Sequence, residues 1–217
     1  MKKLLLILLF FFTACKAPPK AISILEQSSC DLPCWNDVVA GQSTEVDLLR
    51  ILKGLSIVDQ TSIQNSQQPW FIFENVIQFS INQRSTVRGT AYFENNILSQ
   101  FGLCGELNMP IRDVVEEIAN PEFILSGGLV EDSRRNVYMI NSQKGVSLWY
   151  TTDKKLGNRQ YVITPDILVD CITLFDPAQY TKLLDAKLLT GGMDAEEGRK
   201  LYPWNGYGDL FELYPPK

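Results

Sequence analysis

Two stretches of this 217-residue chain, 66 positions apart, carry the same order of signals: a helix start, an amphipathic helix and then a series of short strands. In the first, Gly41-Gln42-Ser43-Thr44 leads into Glu45-Val46-Asp47-Leu48-Leu49. Thr44 suits an N-cap because its hydroxyl can accept an orphan backbone N–H, and Asp47 three residues on supplies the reciprocal acceptor of a capping box. Val46, Leu49 and Leu52, with Leu48 and Leu55, predict a wide apolar helix face, and Gly54 a stop. In the second stretch Pro110 suits a first helical turn after Asn108 or Met109. Ile111, Val114, Val115 and Ile118 then fall at i, i+3, i+4 and i+7, and Asn120-Pro121 ends the helix. Asp47-Leu48-Leu49 aligns with Asp113-Val114-Val115.

Each helix leads into strand-like runs. In the first half these are 70–73, 76–81, 86–94 and 97–104, with Asn95-Asn96 as a hairpin turn. In the second they are 136–140, 146–151, 160–164 and 167–175, with turns at Lys144-Gly145 and 153–158. The last run of each half carries a cysteine, Cys104 and Cys171, at an offset of 67. Two unrelated anchors with nearly equal offsets predict a duplication; chance likeness of generic helix-plus-hairpin units is the competing explanation. A helix followed by an antiparallel meander buries one face of its sheet. The expected class is therefore α+β. Two tandem helix-plus-antiparallel-meander units, residues 36–106 and 107–175, would form one sheet of about eight strands with helices on one face.

The N-terminus adds a compartment. Met1-Lys2-Lys3 is a positive start, and Leu4 to Ala14 is an apolar stretch of 11 residues that ends at Cys15. A bilayer needs about 20 helical residues, so this stretch has the length of a signal-peptide core instead. Phe12-Thr13-Ala14-Cys15 resembles the bacterial lipoprotein signal, in which cleavage precedes a cysteine that carries lipid, palmitate included. The resemblance implies a signal peptide at 1–14, lipidation of Cys15, and an exported chain held by lipid at the cell membrane or outer membrane on its extracytoplasmic side. Phe12 stands where that signal usually has Leu. Residues 15–35 read as a lipidated tether with a Pro18-Pro19 spacer and a turn between Cys30 and Cys34. Export makes the remaining even set, Cys30, Cys34, Cys104 and Cys171, candidates for two disulfides, with three pairings open. Zinc or redox use is the lesser reading: Cys30-x-x-x-Cys34 is not a CxxC, and wide spacing is a weak metal signal.

The Gly41-x-Ser43-Thr44-x-Val46-x-Leu48-Leu49 run resembles the helix start of small envelope lipoproteins of the outer-membrane-assembly type. Those share a helix-then-sheet unit with β-lactamase inhibitor protein, which has it in tandem. The likeness spans 36–175 and implies that fold, although the Gly-x-Pro usual after the helix is absent from the first half. Cys30-Asp31-Leu32-Pro33-Cys34-Trp35, with Tyr202-Pro203-Trp204-Asn205-Gly206-Tyr207-Gly208, also resembles exported lipoproteins of Chloroflexota-type bacteria. That likeness supplies no activity.

Residues 176–217 remain. Asp176-Pro177 starts a third helix, expected to run through Tyr180, Leu183, Leu184 and Leu188 to Gly191-Gly192. The tail beyond it is rich in rings. Tyr202, Trp204, Tyr207 and Phe211 are candidates for a partner-binding patch, and the plainer reading is that they pack on the sheet and cover an edge. The chain has no histidine, which excludes Ser-His-Asp and Cys-His catalytic sets and histidine-ligated zinc. A net charge of -5 and a pI near 4.9 argue against nucleic acid as a partner. No G-x-S-x-G, P-loop or H-E-x-x-H occurs, and adjacent Glu116-Glu117 or Glu196-Glu197 do not face one another on a helix. No catalytic residue, metal or cofactor is expected. The expected function is that of a non-catalytic, surface-anchored lipoprotein that binds another envelope protein. Carbohydrate binding or glycan processing, and inhibition of a secreted hydrolase, are the alternatives.

Overall fold

The computed structural model describes residues 30–66, 72–81, 84–118, 120–131, 134–153, 161–190 and 201–215. The expected signal segment 1–14, Cys15, Trp70-Phe71, the turn residues 154–158 and Gly191-Gly192 lie outside them.

Along the chain, β1 (Cys34–Trp35) and β2 (Val38–Val39) form a small hairpin turned at Asn36-Asp37. Helix α1 (Glu45–Gly54) follows, then β3 (Gln64–Ser66), β4 (Asn75–Ile81), β5 (Arg84–Glu94) and β6 (Ile97–Cys104). Helix α2 (Ile111–Asp113) continues as a wider π-type turn over Val114–Ile118. After it come β7 (Phe123–Glu131), β8 (Arg134–Asn141), β9 (Val146–Asp153), β10 (Val162–Ile163) and β11 (Cys171–Phe175). The C-terminal part holds α3 (Tyr180–Asp185), β12 (Tyr202–Pro203), β13 (Gly208–Asp209) and α4 (Leu210–Leu213).

Nine of these strands make one antiparallel sheet in the order β12-β7-β8-β9-β11-β6-β5-β4-β3. The class is thus α+β, as expected. Strands from residues 64–104 lie on one side of the β6–β11 seam, and strands from 123–175 on the other. Asn95 and Asn96 both take positive φ, 51° and 63°, the turn conformation that joins β5 to β6 with the twist of the strands.

The strand content of the second half differs from expectation. β7 occupies a stretch that Ser126-Gly127-Gly128 marks as a breaker, and the chain takes up those glycines as a register shift between Ser126 and Leu129. β10 leaves the sheet and pairs with β13. In the first half the outer strand among the described residues is Gln64–Ser66, which was not expected; of the run 70–73, Trp70-Phe71 lie outside the described residues. The third helix stops at Asp185, where Lys187 takes a positive φ of 60° and turns the chain into a short 3-10 segment, Leu188–Thr190.

Elements pack on both faces of the sheet, the second only in part. The first face carries Ile77, Phe79, Phe93, Phe101, Val137, Met139, Leu148 and Leu174, and packs against α1 and α2 through Leu48, Leu52, Ile111 and Val114. Trp35, fully buried, stacks on Phe101 at 4.9 Å and on Phe79 at 6.1 Å, so the Cys30–Cys34 turn feeds directly into this core. Val46, expected on the buried helix face, is 70% exposed; α1 buries Leu48 and Leu52 instead, one turn apart. Side chains alternate along a strand. Tyr92, Ile140 and Phe175 therefore point away from their neighbours Phe93, Met139 and Leu174, onto the second face, where Phe73, Leu183 and Leu189 join them. Helix α3 sits there, across the sheet from α1.

Candidate functional site

The second face is covered only in part, and what α3 leaves open is a cleft of about 550 Å³. Its floor follows from register. Thr90, Gly102, Thr173 and Ser147 are successive cross-strand partners on β5, β6, β11 and β9, so small side chains form a straight row across four strands. Tyr92 and Gln100 flank this row on one side. Cys104, Cys171, Trp149 and Tyr138 flank it on the other, again as successive partners. Neighbouring rows on one face lie two residues apart, about 7 Å, so the small row is the bottom of a trough between larger side chains.

The roof is the turn after α3, Ala186 to Leu189. It is tied down at several points. Ser147 Oγ donates to the Leu189 carbonyl at 3.3 Å, Ser99 Oγ donates to Gln179 Oε1 at 2.7 Å, and the Asp176 N–H donates to the Ser99 carbonyl at 3.0 Å. Lys182 pairs with Glu94 on β5. The walls offer hydroxyls, amides, rings and the Lys187 ammonium, with no carboxylate among the lining residues. Tyr138 and Trp149 stand with their rings nearly parallel, 11° apart, at 6.3 Å between centroids. Burial pushes the Tyr92 hydroxyl up from its ordinary 10.0 to about 12.

Three polar atoms of the cleft residues lack a partner among the described residues: Gln100 Oε1, Asn136 Oδ1 and Trp149 Nε1. Gln100 is only 4% exposed. An orphaned buried polar atom costs about 1–3 kcal/mol.

The cysteines expected from sequence are brought together in two pairs. Cys30 bridges Cys34, and Cys104 bridges Cys171. Cys104 and Cys171 are direct cross-strand partners, with Cα atoms 4.1 Å apart, so their bridge closes the β6–β11 seam and forms part of the cleft wall. Cys15 lies outside the described residues.

The aromatic tail packs away from the cleft, against the first-face core. Tyr202 belongs to β12, which covers the β7 edge of the sheet. Trp204 stacks on the buried ring of Tyr214 and meets Tyr207 edge-on; Phe211 meets Tyr161 edge-on and lies under the Arg135 guanidinium at 4.9 Å. Tyr202, Trp204, Tyr207 and Phe211 are all half-buried against that core.

The residues of the cleft escaped the reading of the sequence. Their signal was present as the polar and aromatic phase of each strand: Thr90 and Tyr92, Asn136 and Tyr138, Ser147 and Trp149. Alternation alone assigns that phase to solvent. Compared with protein-family models, curated proteins and solved structures, the chain matches none.

Proposed function

We propose that this chain is a non-catalytic, lipid-anchored binding module of the bacterial envelope, and that it holds its partner in the cleft on the second face of the sheet. The observation that carries this reading is a partly roofed cleft whose lining is small polar and aromatic side chains from five adjacent strands. Two disulfides suit an oxidising, extracytoplasmic site, in line with a lipid on Cys15. The cleft walls offer groups that bind, with no carboxylate or imidazole to transfer protons at neutral pH.

The same proposal includes a body of two tandem units, of the kind found in β-lactamase inhibitor protein. Support comes from the starts of the two helices. Thr44 bridges to Ile97 and Pro110 to Leu168, each at the chain leading along that half's last strand. Those last strands, β6 and β11, meet at the seam. The aromatic tail enters as packing, since its rings are occupied with one another and with the core.

Two experiments test the proposal. Cys15→Ser in full-length protein is expected to abolish palmitate labelling and move the chain from the membrane to the soluble fraction; unchanged labelling removes the anchor. A photo-crosslinking residue at Ala186, on the cleft roof, is expected to capture an envelope component in cells, while one at Val46 on the opposite side does not. Equal capture at both positions removes the cleft as the binding site.

A further inference from the structure

We infer that the cleft takes a small organic acid, a single anionic group on an aromatic body. The inference rests on the cleft being the binding site, and charge carries it. The chain has 25 acidic residues against 20 basic ones, yet the one charged residue in the cleft lining is Lys187. A second cation adjoins the cleft. The row of Cys104, Cys171, Trp149 and Tyr138 begins on β5 with Arg88, the direct partner of Cys104. Arg88 is exposed and has no ion pair among the described residues. Neighbouring carboxylates are engaged elsewhere: Glu94 pairs with Lys182, and Asp170 accepts the Thr151 N–H at 2.8 Å. Two cations, with no acid in the lining, give the site a positive potential that a partial roof shields from water. That potential draws an anion and repels an ammonium.

The backbone at Lys187 points the same way. Lys187 ends the turn after α3 with a φ of 60°. Its N–H donates to the Leu184 carbonyl at 2.8 Å, and its own carbonyl accepts the Thr190 hydroxyl at 3.3 Å. Glycine is the ordinary residue at such a left-handed helix end, because any Cβ there crowds the following carbonyl. A half-buried lysine kept in a glycine position is kept for its side chain. Size and shape set the rest of the ligand. A cleft of about 550 Å³ suits a small molecule, whereas a protein partner needs a far broader surface. Tyr92 stands on one wall, and the parallel rings of Tyr138 and Trp149 on the other. Rings on both walls favour an aromatic body, and the hydroxyls of the floor between them can meet its polar substituents.

Lys187 gives a clean test. Lys187→Gly removes the ammonium and suits the backbone, so its melting temperature is expected to be unchanged or raised. Lys187→Arg keeps the charge. Arg88→Gln removes the second cation from an exposed position. Gly102→Val fills the trough from its floor, where an added Cβ would meet Thr173 Oγ1 at 3.4 Å and backbone oxygens no nearer than 3.9 Å. Full-length protein in detergent would be titrated by calorimetry with 2-naphthoate, 2-naphthamide and 2-naphthylmethylammonium, which share a ring system and differ in charge. Octanoate serves as an acid without a ring. Titrations are run at low and high salt, with detergent alone as the blank.

The expected result is saturable binding of naphthoate, binding of the amide and of octanoate weaker by about tenfold, and none of the ammonium. Lys187→Gly weakens naphthoate about tenfold and leaves the amide unchanged, whereas Lys187→Arg binds as the parent does. Arg88→Gln weakens naphthoate about twofold at low salt and not at high salt, as an exposed charge should. Gly102→Val abolishes binding. The amide or the ammonium bound as tightly as naphthoate overturns the anionic group, and octanoate bound as tightly overturns the aromatic body. A naphthoate titration unaltered by Lys187→Gly or by Gly102→Val overturns the inference, and so does failure of naphthoate to bind. Capture of a polypeptide from the Ala186 position without naphthoate binding overturns the small acid and leaves the cleft's binding role standing; absence of both signals removes the two together.

Discussion

Thr44 and Asp47 act as one local device. The Thr44 hydroxyl accepts the Asp47 N–H at 3.2 Å, and the Asp47 carboxylate accepts the Thr44 N–H at 3.1 Å. Thr44→Ala is expected to cost about 1 kcal/mol, which lowers the melting temperature of a chain this size by about 2–4 °C. Hydrogen bonds from the Thr44 hydroxyl and N–H, with Arg50 beside them, hold the Asp47 carboxyl below its ordinary 3.8. Its contribution to stability is therefore complete above that value and is lost as pH falls through the lowered one. Buried tyrosines titrate in the opposite sense. Burial raises Tyr92 to about 12 and Tyr150 well above its ordinary 10.0. Each keeps its proton in the folded chain after the unfolded chain has lost it. From neutral pH, unfolding free energy is expected to be flat up to pH 10 and to fall from there towards 12, measured by urea denaturation across alkaline pH. A curve that stays flat through that window refutes the burial of these hydroxyls.

At the scale of elements, pairing decides which residues tolerate change. Phe79 and Gly89 are direct partners on β4 and β5, and the Phe79 ring lies where a Gly89 Cβ would stand, with Cζ at 2.1 Å. The ring covers the backbone of the glycine and fills the first-face core. Gly89→Ala is expected to destabilise by about 1–3 kcal/mol through overpacking, seen as a lower denaturation midpoint with an unchanged slope. The C-terminal tail is held by Tyr214, whose hydroxyl donates to the Gly206 carbonyl at 3.0 Å and accepts the Asn205 N–H at 3.0 Å. Its ring is buried beneath Trp204. Tyr214→Ala is expected to cost about 3–5 kcal/mol, the scale of emptying an aromatic site in a core. A loss below about 1 kcal/mol, in thermal or chemical unfolding, would mean the tail is not part of the fold's cooperative unit.

For the whole molecule, the seam between β6 and β11 joins residues far apart in sequence, and the Cys104–Cys171 bridge closes a separation of 67 residues. The Cys30–Cys34 bridge closes a separation of only 4. Loop-closure entropy predicts that the Cys104→Ala/Cys171→Ala pair costs about 4 kcal/mol and the Cys30→Ala/Cys34→Ala pair about 2. Urea midpoints of the two double variants would rank them, and the reverse order would contradict that account. Much of this assembly was legible from sequence. The class, the capped first helix, the Asn95-Asn96 hairpin and the four bridged cysteines followed from periodicity, turn chemistry and cysteine parity. β7 was not legible, because Gly127-Gly128 signals a break unless a sheet neighbour fixes the chain across it. The cleft was not legible either. Thr90, Gly102, Thr173 and Ser147 are distributed over more than eighty positions of sequence, and only the register of four strands sets them in a row.

The sequence by itself determined the local choices: where α1 begins, where β5 turns into β6, and which phase of each strand is apolar. These depend on interactions within a few residues, which any conformation of the chain must satisfy. Only the tertiary structure decided what the polar phase is for. Alternation gives every strand two faces, and nothing local says whether the second meets water or another part of the chain. Folding α3 and the turn from Ala186 to Leu189 across part of that face is what makes a cleft of it.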